Sequence, residues 1–117
     1  RYSERMIDDK TLVIIISQSG ETADTLAALR EAKTKGATIL SVTNVVGSSI
    51  ARESDNVFYT WAGPEIAVAS TKGYTTQVTA LYMIALKFGE ILGTICSDEI
   101  KKIIAGFKEL PSKIELL

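Results

Sequence analysis

An uninterrupted apolar run, TLVIII at residues 11–16, constrains the fold of this chain more than any other feature of its sequence. β-branched side chains favour extended backbone, and a run without polar alternation is typical of a parallel strand that helices cover on both faces. The run ends at Ser17, and an amphipathic helix is predicted from about residue 22 to residue 35, with Gly36 as its C-terminal stop. We therefore expect a strand, a short loop and a helix in direct succession.

Two more strands follow in the same pattern. They are predicted at residues 38–43 and 56–60, separated by a turn and a short helix that ends at Glu53. This alternation predicts an α/β fold with a doubly wound, mostly parallel sheet flanked by helices. Because three parallel strands alone leave the sheet edges poorly covered, we expect the sheet to be incomplete at its N-terminal side.

The second half of the chain is predicted to be helical. Apolar residues recur at helical spacing from about residue 65 to residue 92, which predicts one long, largely buried helix. Ser97 is placed to cap a last helix, which is predicted to run until Pro111 and to be followed by another short helix.

The composition excludes several classes of protein. A chain of 117 residues with 46% hydrophobic and 23% charged residues is expected to fold as one compact domain. A net charge of −1 gives no field to hold nucleic acid. The single cysteine, Cys96, cannot form an internal disulfide, and the absence of histidine removes the usual zinc patterns. We expect neither a metal site nor a cofactor.

No segment has the length of a membrane span. The longest apolar runs, residues 12–16 and 83–86, are far shorter than the ~20 residues that a bilayer requires. The chain starts with RYSER, which has neither an initiator Met nor the apolar core of a secretory signal. We expect a stretch from the interior of a cytoplasmic protein, without contact with a membrane.

The segment SQSGET at residues 17–22 carries the clearest chemical signal. It joins the carboxyl end of a predicted buried strand to a helix start, where open α/β sheets bind ligands. Its hydroxyl groups, the Gln18 amide and free backbone N–H groups suit a phosphate monoester, and Gly20 allows close approach or a positive φ. The alternative is that Ser19 merely caps the helix, while Ser17 and Gln18 are solvated loop residues. Without a G-x-G-x-x-G or a Lys-Ser/Thr pair, a small phosphorylated metabolite is preferred over ATP or NAD.

The stretch SQSGETADTL at residues 17–26 resembles the phosphosugar-binding signature of the sugar isomerase domains called SIS. Residues 44–49, 52–55 and 62–72 are similar to SIS domains of the amidotransferase family that makes glucosamine 6-phosphate from fructose 6-phosphate and glutamine. The resemblance spans nearly the whole chain. It implies a partial SIS domain with a flavodoxin-like, three-layer fold, with residues 1–110 as its core and residues 111–117 as the start of a connector to a second SIS domain.

The resemblance also implies the roles of single residues and partners. The residues that bind the sugar phosphate would be Ser17, Gln18, Ser19 and Thr22. The residues that contact the sugar near its reacting end would be Val68, through its backbone, and Ser70. In the family, a histidine, a glutamate and a lysine from the second SIS domain or a neighbouring subunit move the protons, so we expect no catalytic residue here. A glutaminase domain and a second SIS domain in the same full-length chain, and a homodimer, are implied as partners.

The sequence leaves the roles of two charged residues open. Glu65 is either a general base or an acid in the first turn of the predicted long helix, and we prefer the second role. Lys72 either reaches a phosphate or pairs with a surface acid. For the whole chain, the alternative to part of an enzyme, inactive alone, is a module that senses phosphosugars without converting them.

Overall fold

The computed structural model describes residues 7–66 and 70–116. The chain divides into two compact units at the boundary between Ala80 and Leu81, and each unit is described by itself. The helices and strands are, in chain order, β1 (Leu12–Ser17), α1 (Ala23–Thr34), β2 (Thr38–Thr43), α2 (Ser49–Glu53), β3 (Asn56–Tyr59), α3 (Lys72–Ile91) and α4 (Ser97–Ile114).

The three strands form one parallel sheet in the order β1, β2, β3. In its register, Ser17 lies opposite Thr43, and Thr43 lies opposite Tyr59. Because the strands are parallel, all three end at the same edge, and the segments that follow them meet there. The predicted α/β architecture, parallel strands with flanking helices, is confirmed.

The core lies between one face of the sheet and helices α1 and α2. Its buried members come from β1, α1, β2 and α2 and the turn between α1 and β2: Ile15, Leu29, Ala32, Ala37, Ile39 and Ile50. Leu29, Ile39 and Ile50 are fully buried. This packing fixes the orientation of the strands and therefore the position of their carboxyl ends.

The opposite face of β1 differs from the expectation. Leu12, Ile14 and Ile16 are 36% to 42% exposed, whereas a fully apolar run predicted cover on both faces. Successive side chains of a strand point to opposite faces, and α1 and α2 contact the sheet on the face that carries Ile15. In the part of the chain that the structure describes, β1 is therefore buried on one face.

The starts of the last two helices are corrected. Helix α3 begins at Lys72, seven residues after the predicted start at residue 65, and its first backbone hydrogen bond runs from Thr75 N to Thr71 O. Helix α4 begins with Ser97 inside the helix, and Cys96 precedes it at the cap position. The Cys96 N–H donates to Glu99 Oε2 at 3.2 Å, so the predicted cap at Ser97 is wrong by one residue.

The predicted break at Pro111 is also wrong. Helix α4 continues through Pro111 to Ile114, and Glu115 N donates to the Pro111 carbonyl oxygen at 3.0 Å. Proline lacks one N–H donor, but the hydrogen bonds after it continue the same helix. Within this second unit, the rings of Tyr82 and Phe107 meet edge to face with centroids 5.5 Å apart. Among the described residues, no helix is both long and apolar enough to cross a membrane.

Candidate functional site

The loop between β1 and α1 is a turn that closes on itself. Ser17 is buried, and its Oγ accepts a hydrogen bond from Gly20 N at 3.1 Å and lies 3.2 Å from Thr22 Oγ1. Ser19 Oγ accepts from Glu21 N at 3.2 Å. These local bonds hold the hydroxyl groups of residues 17–22 together at the carboxyl edge of the sheet.

The N-terminus of α1 opens into this loop. Thr22 occupies the N-cap position and makes no side-chain cap hydrogen bond, while its carbonyl oxygen accepts from Leu26 N at 2.9 Å. Ser19 bonds inside the loop and does not cap the helix, so the interpretation of Ser19 as a mere cap is wrong. The first N–H groups of α1 lie at the positive end of the helix dipole and receive no side-chain cap from Thr22.

Gly20 is required here for two separate reasons. Its φ is +68°, in the left-handed region that glycine tolerates. A Cβ at this position would overlap the side chain of Ser48 and come within 3.0 Å of Thr43 Oγ1. The loop backbone therefore lies directly against the residues that follow β2, as expected for a close approach.

The one acid of the loop points away from its hydroxyl groups. Glu21 Oε1 accepts a hydrogen bond from Ser49 N, the first residue of α2, at 2.7 Å. Hydrogen bonds from Ser49 hold the pKa of the Glu21 carboxyl below its ordinary value, and the charge of Arg52 acts in the same direction. Glu21 is thus ionised at the start of α2, where a negative charge is favourable, and joins the loop to that helix.

Asn44, the first residue after β2, connects the loop to the segment after β3. Its backbone N donates to the Gln18 carbonyl oxygen at 3.1 Å. Its side-chain Nδ2 donates to Gly63 O at 2.7 Å, and its Oδ1 accepts from Ala62 N at 2.8 Å and from Thr60 Oγ1 at 3.1 Å. One amide side chain therefore shapes the backbone of residues 60–63.

A cleft of about 320 Å³ lies at this junction. It is lined by Asn44, Val45, Trp61, Gly63 and Pro64. Trp61 is 76% exposed and has a φ of +52°, and its ring lies 5.8 Å from that of Tyr59. A non-glycine residue held in the left-handed region stores local strain, which the hydrogen bonds of Asn44 to the following residues maintain.

The first turn of α3 brings Ser70 beside Gln18. Gly73 is buried, and a Cβ on it would overlap Ser70 Oγ and lie 3.2 Å from Gln18 Cγ. The residues expected to hold the phosphate and to contact the sugar are thus neighbours at this point. Val68, the other residue expected to contact the sugar, lies outside the described residues.

Glu65 and Lys72 both hold the segment that precedes α3. Glu65 lies before the helix and not in its first turn, and its Oε2 accepts from Gly73 N at 3.2 Å. The predicted position of Glu65 in the first turn of the long helix is therefore wrong, although its carboxylate accepts a hydrogen bond from the N-terminal turn of α3. Lys72 Nζ donates to the Pro64 carbonyl oxygen at 2.6 Å.

No group of three or more potential metal ligands is found within residues 7–66 and 70–116. Cys96 is an exposed free thiol. The groups that the loop at residues 17–22 offers to a ligand are hydroxyl groups, the Gln18 amide and backbone N–H groups.

Sequence reasoning did not select Asn44, Ser48 or Gly73. A signal for Asn44 was present, because it directly follows the second predicted strand and so ends at the same sheet edge as Ser17. Gly73 carried no such signal, since its role depends on where α3 packs.

Comparison with known proteins gives consistent matches. A family model described as the SIS domain matches residues 2–87. The glutamine–fructose-6-phosphate aminotransferase (isomerizing) of Caldanaerobacter subterraneus subsp. tengcongensis is 58% identical over 117 residues, which are 100% of this chain and 19% of that protein. The protein of the same name from Clostridium perfringens is 59% identical over 115 residues, 98% of this chain and 19% of that protein.

A solved structure shares the fold. It is the C-terminal domain of glucosamine-fructose-6-phosphate aminotransferase from Francisella tularensis, with a TM-score of 0.87 and 40% identity over 95% of this chain and 32% of that one. The chain thus spans 19% of the length of the curated relatives just described. Together with the family match over most of its residues, these similarities establish that the chain belongs to the SIS domain family.

Proposed function

We propose that this chain binds fructose 6-phosphate, as the phosphosugar-binding part of an enzyme that makes glucosamine 6-phosphate from fructose 6-phosphate and glutamine. The loop at residues 17–22 carries the proposal, because its hydroxyl groups and the uncapped N-terminus of α1 converge at the carboxyl edge of the sheet. The relatives named glutamine–fructose-6-phosphate aminotransferase supply the identity of the sugar and of the reaction.

In this proposal, neutral donors hold the phosphate. Ser19, Thr22 and the Gln18 amide face the anion with the first N–H groups of α1, and no Lys or Arg lies within residues 17–22. Ser17, which is also assigned to the phosphate in this proposal, is buried and holds the Gly20 N–H and the Thr22 hydroxyl group through its Oγ. A phosphate accepts hydrogen bonds at all its oxygens, so several fixed donors satisfy it without a cation.

The sugar would extend from the loop towards α3. Ser70, which shares the space around Gly73 with Gln18, contacts the sugar near its reacting end in this proposal. The same role is assigned to the backbone of Val68 from the resemblance alone. Isomerisation requires acid and base groups, and this chain contains no histidine. Its contribution is therefore to position the substrate, while other parts of the protein move the protons.

The remaining parts of the enzyme belong to the same proposal. The relatives are about five times as long as the matched region. We place a glutaminase domain and a second SIS domain in the same full-length chain, with residues 111–117 as the start of the connector between the SIS domains. The assembled enzyme is a cytoplasmic homodimer, and this chain alone has no turnover.

Isothermal titration calorimetry of the chain with fructose 6-phosphate and with fructose tests the binding step. We expect saturable binding of fructose 6-phosphate and no binding of fructose. Ser19→Ala should weaken the binding about tenfold, because a hydrogen bond to a charged group contributes about 1.5 kcal/mol or more. Ser112→Ala, an exposed serine of α4, is the matched control and leaves the affinity unchanged. Equal affinity for fructose, or no binding by a chain with its native circular dichroism spectrum, contradicts the proposal.

A further inference from the structure

Glu65 lies where the two parts of the proposed site meet. Its Oε2 accepts the hydrogen bond of Gly73 N at 3.2 Å and would lie 3.3 Å from a Cβ on that glycine. The same space is bordered by Ser70 Oγ and Gln18 Cγ. The carboxylate is therefore next to one residue proposed to hold the phosphate and one proposed to contact the sugar.

The two oxygens of this carboxylate are used differently. Oε2 is fixed by the N-terminal turn of α3, whereas Oε1 has no hydrogen-bond or ion-pair partner among the described residues. The nearest lysine in sequence, Lys72, directs its Nζ to the Pro64 carbonyl oxygen and not to Glu65. Glu65 is half-buried, so it offers one uncommitted and partly shielded acceptor beside Ser70.

A phosphorylated sugar has chemically distinct ends, and a carboxylate discriminates between them. Phosphate oxygens are negatively charged acceptors, which a carboxylate repels, whereas sugar hydroxyl groups donate hydrogen bonds, which a carboxylate accepts strongly. An acceptor beside Gln18 and Ser70 therefore disfavours phosphate on the α3 side of the site and favours hydroxyl groups there.

From this geometry we infer that Glu65 is a specificity-determining residue, whose Oε1 accepts a hydrogen bond from a hydroxyl group of the bound phosphosugar. The inference rests on the proposed function and deepens it, because it assigns the sugar end of the ligand to the α3 side and the phosphate end to α1. Glu65 binds and orients in this role, and no proton transfer is assigned to it.

The test compares fructose 6-phosphate with inorganic phosphate in calorimetric titrations of the chain. Glu65→Gln keeps an amide oxygen for the Gly73 N–H and removes the negative charge. We expect it to weaken fructose 6-phosphate binding about tenfold and to leave inorganic phosphate binding unchanged or tighter. Ser19→Ala weakens both ligands, and the exposed Glu115→Gln is the matched control that affects neither.

The outcomes separate this inference from the proposed function. Glu65→Asp, which retains the carboxylate, should recover part of the selectivity that Glu65→Gln loses, and a purely structural residue would not change the ratio of the two affinities. Unchanged fructose 6-phosphate binding by Glu65→Gln, or an equal loss for both ligands, overturns the inference and leaves the proposed function standing. Absence of binding by the natively folded wild-type chain overturns both.

Discussion

The two segments that form the proposed site, residues 17–22 and 60–66, keep their shapes by different means. In the first, Ser17 and Ser19 bond to residues two to five positions ahead of them. In the second, the bonds come from distant parts of the chain: Asn44 holds Ala62 and Gly63, and residues of α3 hold Pro64 and Glu65. The first segment therefore has hydrogen bonds of its own in addition to those from Asn44, Ser49 and Ile50, whereas the hydrogen bonds described for the second segment all come from other parts of the chain.

Replacing Gly20 should produce the largest effect, because it disrupts the first segment at its closest contact. Gly20→Ala is expected to lower the free energy of unfolding by about 3 kcal/mol, combining left-handed backbone strain with overlap against Ser48. Gly47→Ala is the matched control, since Gly47 also has a positive φ, of 73°, and a Cβ there meets nothing within 4 Å. We expect about 1 kcal/mol for the control in urea denaturation. Equal losses would show that contact with Ser48 is unimportant.

A smaller effect is expected from Asn44→Ala, which removes the side-chain bonds that hold the second segment. The loss should be about 1 to 2 kcal/mol, because the Ala62 N–H and the Gly63 carbonyl lose partners that water partly replaces. Hydrogen exchange should accelerate at the Ala62 amide and remain slow at the Gly20 amide, which Ser17 holds.

The control for this substitution is Asn56→Ala, an exposed asparagine at the start of β3. Trp61 emission should change in Asn44→Ala and stay constant in the control. If the Gly20 and Ala62 amides accelerate together, the two segments are one cooperative unit and the contrast between them fails.

The smallest effect is expected for Glu21, whose contribution to stability should depend on pH. Hydrogen bonds from Ser49 lower the pKa of Glu21 in the folded chain, so its stabilising contribution is present at neutral pH and disappears as the pH falls through that lowered pKa. In urea denaturation, wild type should exceed Glu21→Gln in stability at pH 7. The difference should decrease below about pH 4, where glutamate in the unfolded chain is protonated.

Glu115→Gln serves as the exposed control for this titration. A difference between wild type and Glu21→Gln that is the same at pH 7 and at pH 3 would mean that the bond to Ser49 N does not depend on the charge of Glu21.

The contrast between the segments also explains what could be predicted from sequence. The ends of the strand predicted at residues 11–16 and of the helix after it lie within one residue of their predicted positions. The spacing of apolar residues and a glycine at the end of a helix are local signals, which a sequence shows directly. The loop between them followed from those elements. Its role in phosphate binding stays a prediction.

The start of α3 shows where local signals fail. The helix was predicted to start at residue 65 but begins at Lys72, and its first turn instead holds Pro64 and Glu65 through hydrogen bonds from Lys72 Nζ and Gly73 N. None of these constraints is visible in a sequence window. At α4, Cys96 and Ser97 are both followed by acids, and the structure alone distinguishes the cap from the first helical residue.

The contact between Gly20 and Ser48 has a consequence for how this sequence can vary. A side chain at position 20 would occupy the space of the Ser48 side chain, so replacement of Gly20 is conditional on the identity of residue 48. Ser48→Gly would open that space and remove the steric part of the penalty of Gly20→Ala, while the cost of its left-handed backbone would remain. The fitness of a substitution in the loop thus depends on a residue encoded in a different segment, and the two positions are expected to tolerate change only in a fixed order, with Ser48 first.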